Sequence, residues 1–267
     1  MKKLTTLFLA LLIGCSGFGQ TVLRSNDTVL RAYDSNTPTN TPYTLSVWLD
    51  GDADQTFTLD GTSVDQWDDK SGNDNHVLNG NADATRPTYD INTGRVTFIA
   101  ANSTFLQSAA FVSPLTQPNT IFIVYKITGP LDVVEIIFDG AGSTEERNSF
   151  LTTASNFQIY AGAILTDEAT DANNNIHVGL FNGVSSEYWI NGVSSVSGNA
   201  STYPLDGITL GVNHLVNQYF ADCEIMEVIV YDDEVSDTWR DKITAYLADK
   251  WSITATTDFK GYVLRQD

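Results

Sequence analysis

Three sets of residues in this chain have types and spacings suited to chemistry. Asp50, Asp52 and Asp54 take alternate positions in Asp50-Gly51-Asp52-Ala53-Asp54, so hard carboxylate ligands can converge there on a calcium ion. The loop is not an EF-hand, because Gln55 and Gly61 stand where a glycine and a glutamate are required. Solvated turns are the competing reading, for these residues and for Asp68, Asp69 and Asp74 nearby. In Glu187-Tyr188-Trp189-Ile190-Asn191, strand alternation sends Glu187, Trp189 and Asn191 to one face. An aromatic plate beside an acid and an amide is what a sugar ring needs for stacking and hydrogen bonding. That reading requires Trp189 to be more exposed than the other tryptophans; the competing one packs it on the outer sheet or beneath a helix. The third residue is Cys15, at the end of Leu12-Ile13-Gly14-Cys15, a lipobox-like tetrapeptide whose cysteine would carry a lipid. Simple cleavage near Gly19 is the alternative.

No residue is assigned a catalytic role. His76, His177 and His214 lie far apart in sequence and share no metal-ligand spacing, so they are expected to be hydrogen-bonded structural histidines. Ser143 to Arg147 reads as a solvated charged loop.

These groups must be positioned by strands. Ile225 to Tyr231 is apolar and β-branched apart from Met226 and Glu227, which predicts a strand buried on both faces. After the turn Asp232-Asp233-Glu234, Ser236 is placed to cap a helix from Asp237 to Lys250. Trp239, Ile243, Tyr246 and Leu247 form one apolar stripe on it, which must lie on the sheet. Upstream, Thr120–Ile127, Val133–Phe138, Phe150–Thr152, Phe157–Ala161 and Ile176–Phe181 read as strands, and Asn191-Gly192 as a hairpin turn. No long helical pattern precedes Asp237. The predicted fold is all-β: an antiparallel two-sheet sandwich with one C-terminal closing helix.

Composition limits the partners. The formal net charge of −19 argues against nucleic acid and anionic membrane, and fits a secreted surface protein or a holder of divalent cations. Residues 1–19 read as a signal peptide: Lys2 and Lys3 precede an apolar run, Leu4 to Gly14, too short to span a bilayer. Its removal takes two lysines and no acid, so −19 becomes −21. Residues 20–43 form a Thr/Asn/Pro-rich spacer, 44–254 the domain and 255–267 a tail. Thr21-Val22-Leu23-Arg24 recurs at Thr28 to Arg31 and is echoed by Tyr262 to Arg265, as short edge strands of two adjoining termini would. Cys223 is expected to be a small core residue without a disulfide partner.

Several motifs carry a family resemblance. They are Leu45–Asp52 (LSVWLDGD), Val64–His76 (VDQWDDKSGNDNH), Arg86-Pro87-Thr88-Tyr89, Glu187–Gly192 (EYWING) and Gly207–Asn213 (GITLGVN). The ending adds Glu227, Tyr231, Ser236, Arg240, Ile243, Tyr246, Leu247, Lys250 and Trp251. From about Leu45 to Ile253 the chain resembles the laminin-G-like, concanavalin A-like jelly-roll domains of bacterial surface proteins. The resemblance implies a jelly roll, packing roles for Trp48, Trp67 and Trp251, and Arg240 as the cation that pairs with Glu227. It also brings in polysaccharide-active enzymes, one branch of which carries E-x-D-x-x-E on a strand. Here Met226 and Ile229 replace the last two acids, and Glu224 and Glu227, three apart, are expected on opposite faces. The expected function is non-catalytic binding of a glycan or cell-surface partner by an exported protein. A lyase or hydrolase on the same fold, and a purely structural surface domain, are the alternatives.

Overall fold

The computed structural model describes residues 23–25, 28–30, 37–79, 83–153 and 156–257. Cys15, the signal peptide and the echo at 262–265 lie outside them. Leu23–Ser25 pairs with Thr28–Leu30 in a small antiparallel hairpin, so the first two copies of the repeated tetrapeptide meet each other.

The remaining strands form one antiparallel, nearly barrel-like network of seventeen, with one α-helix among the described residues. The strands that matter here are β1 (Leu45–Asp50), β2 (Arg95–Phe98), β3 (Asn119–Ile127), β4 (Glu135–Asp139) and β5 (Ser149–Thr153). They continue with β6 (Asn156–Tyr160), β7 (Asn175–Phe181), β8 (Ser186–Ile190) and β9 (Cys223–Tyr231), and the helix is α1 (Asp237–Trp251). One run of neighbours reads β1-β9-β3-β7-β8, and a second reads β4-β5-β6. Both runs feed one inner core: Ile121, Tyr125 and Val228 come from the first, Ile137, Phe150 and Ile159 from the second. Burying such side chains contributes about 1.5–3 kcal/mol each, which is why the most apolar segments became the central strands.

The first run is buried on its outer face too. Trp48, Phe122, Val178, Trp189 and Ile229 form a second cluster there, closed by Ile243 and Leu247 of α1. The expected stripe thus lies on the sheet, with Trp239 and Tyr246 at its margins. Ser236 is the N-cap residue, but its side chain makes no capping hydrogen bond. The Asn191-Gly192 turn forms as expected, with φ of 50° and 78°, between β8 and the strand Val193–Gly198. A Cβ on Gly192 would stand 1.9 Å from the Thr256 carbonyl oxygen, so both the φ and the space require glycine.

One irregularity changes the reading of β9. Its register with β3 slips between Val124, opposite Glu227, and Tyr125, opposite Ile225, leaving Met226 as the bulged residue. Met226 joins the outer cluster and Val228 the inner one, so Glu227 faces outward beside Met226. Glu224, flanked by inward Cys223 and Ile225, faces outward as well. The expectation of opposite faces is therefore corrected: the bulge resets the alternation and puts both glutamates on one face.

Candidate functional site

Two of the residues marked out in the sequence, Trp189 and Asp50, help hold α1 to the sheet. Trp189 is 4% exposed, within the cluster beneath α1, and the guanidinium of Arg240 lies 4.1 Å from its ring centre. It cannot receive a sugar, and the requirement that it be the most exposed tryptophan fails. Strand alternation does turn Trp189 away from the inner core, and α1 covers that face. Glu187 is half-buried and accepts a 2.7 Å hydrogen bond from Ser194 Oγ. Asn191 is spent on the turn, accepting from the Ile176 N–H and donating to Asn175. It borders a polar hollow of about 380 Å³ with Asp171, Asn173 and Ser252.

Asp50 is buried and accepts hydrogen bonds from two ammonium groups, Lys70 at 2.7 Å and Lys250. Burial pushes its pKa up, but the two lysines outweigh that and hold it below the usual value. Asp50 thus meets two lysines, while Asp52 is exposed and the Asp54 side chain lies outside the described residues. Among the described residues no three His, Cys, Asp or Glu side chains are grouped to hold a metal.

Glu227 is fully buried, and its cation is Lys250, 2.9 Å away, not Arg240. Trp48 Nε1 (2.8 Å), Trp251 Nε1 (2.7 Å) and the Tyr246 hydroxyl (3.2 Å) also donate to it. Arg240 instead pairs with Asp237 and Asp241 and covers Trp189. The reason is position: Lys250 lies in the last turn of α1, over the bulge, whereas Arg240 lies in the first turn.

The open face is on the other run. Strands β4, β5 and β6, with the loop around residues 213–219, frame a cleft of about 470 Å³. Arg147, Tyr160, His214, Gln218 and Tyr219 line it, with Val134, Ile164 and Leu215 at the margin. Those three apolar residues are 40%, 51% and 50% exposed and Tyr219 is 44% exposed, so a run of large exposed apolar side chains collects at one place. Under it sits Asp139, fully buried. Arg147 grips it with Nε at 2.7 Å and Nη2 at 2.6 Å, and Ser149 Oγ (2.6 Å) and the N–H groups of Gly140 and His214 (each 2.9 Å) complete its shell. The Arg147 guanidinium also lies 5.0 Å from the centre of the Tyr160 ring. Burial raises the pKa of that phenol, so it stays a neutral donor.

The loop is fixed as firmly. Asn213 Oδ1 accepts from the N–H groups of Asn217 and Gln218, and the Tyr219 carbonyl accepts from the Ile136 N–H. Val216 and Tyr219 have φ of 53° and 62°, a left-handed backbone that a β-branched or aromatic residue adopts only under constraint. Tyr219 stands at the rim, 44% exposed.

No protein-family model matches the chain, and no curated protein matches it in sequence. Solved structures do match. Trypanosoma rangeli sialidase in complex with sialic acid aligns at 10% identity with a TM-score of 0.54, over 79% of this chain and 34% of that one. The binding domain of botulinum neurotoxin DC in complex with SialylT aligns at 10% identity and 0.55, over 76% and 51%. The likeness is one of fold. This chain spans about a third of the sialidase's length and half of the toxin domain's.

The cleft residues were not found by sequence reasoning. In the sequence Arg147 falls in a charged loop, and His214 stands apart from the other histidines. The only available signal was Asn213-His214 closing the GITLGVN strand motif; nothing in the sequence tied it to Asp139 or Arg147.

Proposed function

We propose that this chain is an exported, non-catalytic binding domain whose ligand is a glycan, free or on a surface partner, held in the cleft over β4–β6. One observation carries the reading: the cleft presents an exposed aromatic, Tyr219, beside polar groups already fixed in place. The two solved structures of similar fold are described with sialic acid and SialylT bound, which supports a glycan as the ligand class. In its finer form the fold is a laminin-G-like jelly roll of two sheets. A two-carboxylate glycosidase finds less support, because the cleft lining contains no carboxylate and Glu227 is sealed beneath α1.

Export follows from the signal-like start, with Cys15 as the lipidated mature terminus. Labelled fatty acid should enter the precursor in a bacterial host and be absent from Cys15→Ala; equal labelling of the two would remove the anchor. For the ligand, a glycan array run beside reducing-end and unsaturated-product assays should give saturable binding and no product. Product release would return the enzyme reading, and a blank array would leave a structural domain.

A further inference from the structure

We infer that the cleft selects an acidic sugar unit, whose carboxylate is received by Arg147 and the His214 ring. The inference rests on the glycan reading above and names the chemical class of its ligand.

The first observation is an imbalance of charge. The chain has 33 aspartates and glutamates against 14 lysines and arginines, yet no carboxylate lines this cleft. Its one charged lining residue is Arg147. The second is the inventory of hydrogen-bond groups. A site for neutral sugars needs acceptors for hydroxyl protons, commonly supplied by carboxylates. Asp139, the nearby carboxylate, already accepts five hydrogen bonds on two oxygens, from Arg147 (twice), Ser149, Gly140 and His214. It has no capacity left for a ligand. Donors, by contrast, remain: the Arg147 bonds run from Nε and Nη2, leaving Nη1 uncommitted.

The third observation is His214. It is 5% exposed, lines the cleft, and neither ring nitrogen makes a hydrogen bond. A buried polar atom left without a partner is costly unless a ligand completes it. Its Nδ1 lies 3.4 Å from Asp139 Oδ2, the oxygen that also accepts from Arg147 Nη2, so ring and guanidinium are neighbours on one anchor. Asp139 holds both in place from below while presenting no free oxygen itself. With the guanidinium charge already met by Asp139, what Nη1 and the ring lack is acceptors, two of which a carboxylate supplies.

The test uses the whole chain and matched pairs of probes: 3′-sialyllactose with lactose, and tetragalacturonate with its carboxyl-reduced tetrasaccharide. Affinities are measured by calorimetry at low and high salt, and repeated with Arg147→Lys and His214→Phe. At least one acidic member should bind about tenfold more tightly than its neutral partner and weaken in high salt. Each substitution should cost the acidic probe about tenfold more than it costs its neutral partner, with Arg147→Lys keeping a cation beside Asp139. Equal affinity within both pairs would overturn acid selection and leave the glycan reading standing, as would binding confined to neutral glycans. Failure of every acidic and neutral glycan, on the array and here, would overturn both. The salt and pair comparisons need no variant, so an unfolded substitution does not decide the matter.

Discussion

Glu227 shows how one buried charge organises a region. Burial pushes its pKa up, and Lys250 pulls against that shift; Lys250 is itself held above its usual value because Glu227 and Asp50 outweigh its burial. Lys250→Met should therefore cost on the order of 3–5 kcal/mol in urea unfolding, since it leaves two buried carboxylates without that cation. Arg240→Met loses a pair to the exposed Asp237, a longer 3.8 Å pair to the largely buried Asp241 and a ring contact, and should cost less, on the order of 1–2 kcal/mol. Equal losses would put the bridge back on Arg240. A second buried acid, Glu135, is 2% exposed and accepts from the Asp222 N–H, with its other oxygen unpartnered. Burial, more than any other cause, pushes its pKa from 4.5 up to about 7. The folded state thus favours the protonated acid: the stability is fully present below pH 4.5 and is lost as pH rises through about 7. Glu135→Gln should flatten that decline in melts between pH 5 and 8; an unchanged slope would show that Glu135 does not cause it.

Among the elements, α1 and its strand were the most legible part of the sequence. The stripe of Ile243 and Leu247, the strand ending at Tyr231 and the Asn191-Gly192 turn all obey local periodicities, and all formed. What could not be read was which sheet face the helix would cover, because that depends on contacts distant in sequence. For this reason Trp189 passed for a sugar platform. Likewise the bulge at Met226 follows from pairing with β3 and leaves no trace in composition. The cleft was illegible for the same reason, since Asp139, Arg147 and His214 meet only after β4 and the 213–219 loop come together. Trp189→Ala should now cost roughly 3–5 kcal/mol and loosen α1, measured as a fall in melting temperature. A surface-like change within about 0.5 kcal/mol would mean that the helix does not rest on that ring.

Taken whole, the molecule is finished on one side and open on the other. The run β1-β9-β3-β7-β8 is covered by α1 and locked by the Asp50–Lys250–Glu227 network, while the cleft beside β4–β6 has an exposed rim of Tyr219, Val134, Ile164 and Leu215. A stable side that carries the fold frees the other for recognition. The most direct measurement is a calorimetric titration of the best array glycan into the chain, Tyr219→Ala and Trp189→Phe. Tyr219→Ala should lose at least about tenfold in affinity with its melting temperature unchanged, while Trp189→Phe melts earlier yet binds as the parent does once folded. Full affinity in Tyr219→Ala, or binding lost only in folded Trp189→Phe, would contradict the cleft as the site.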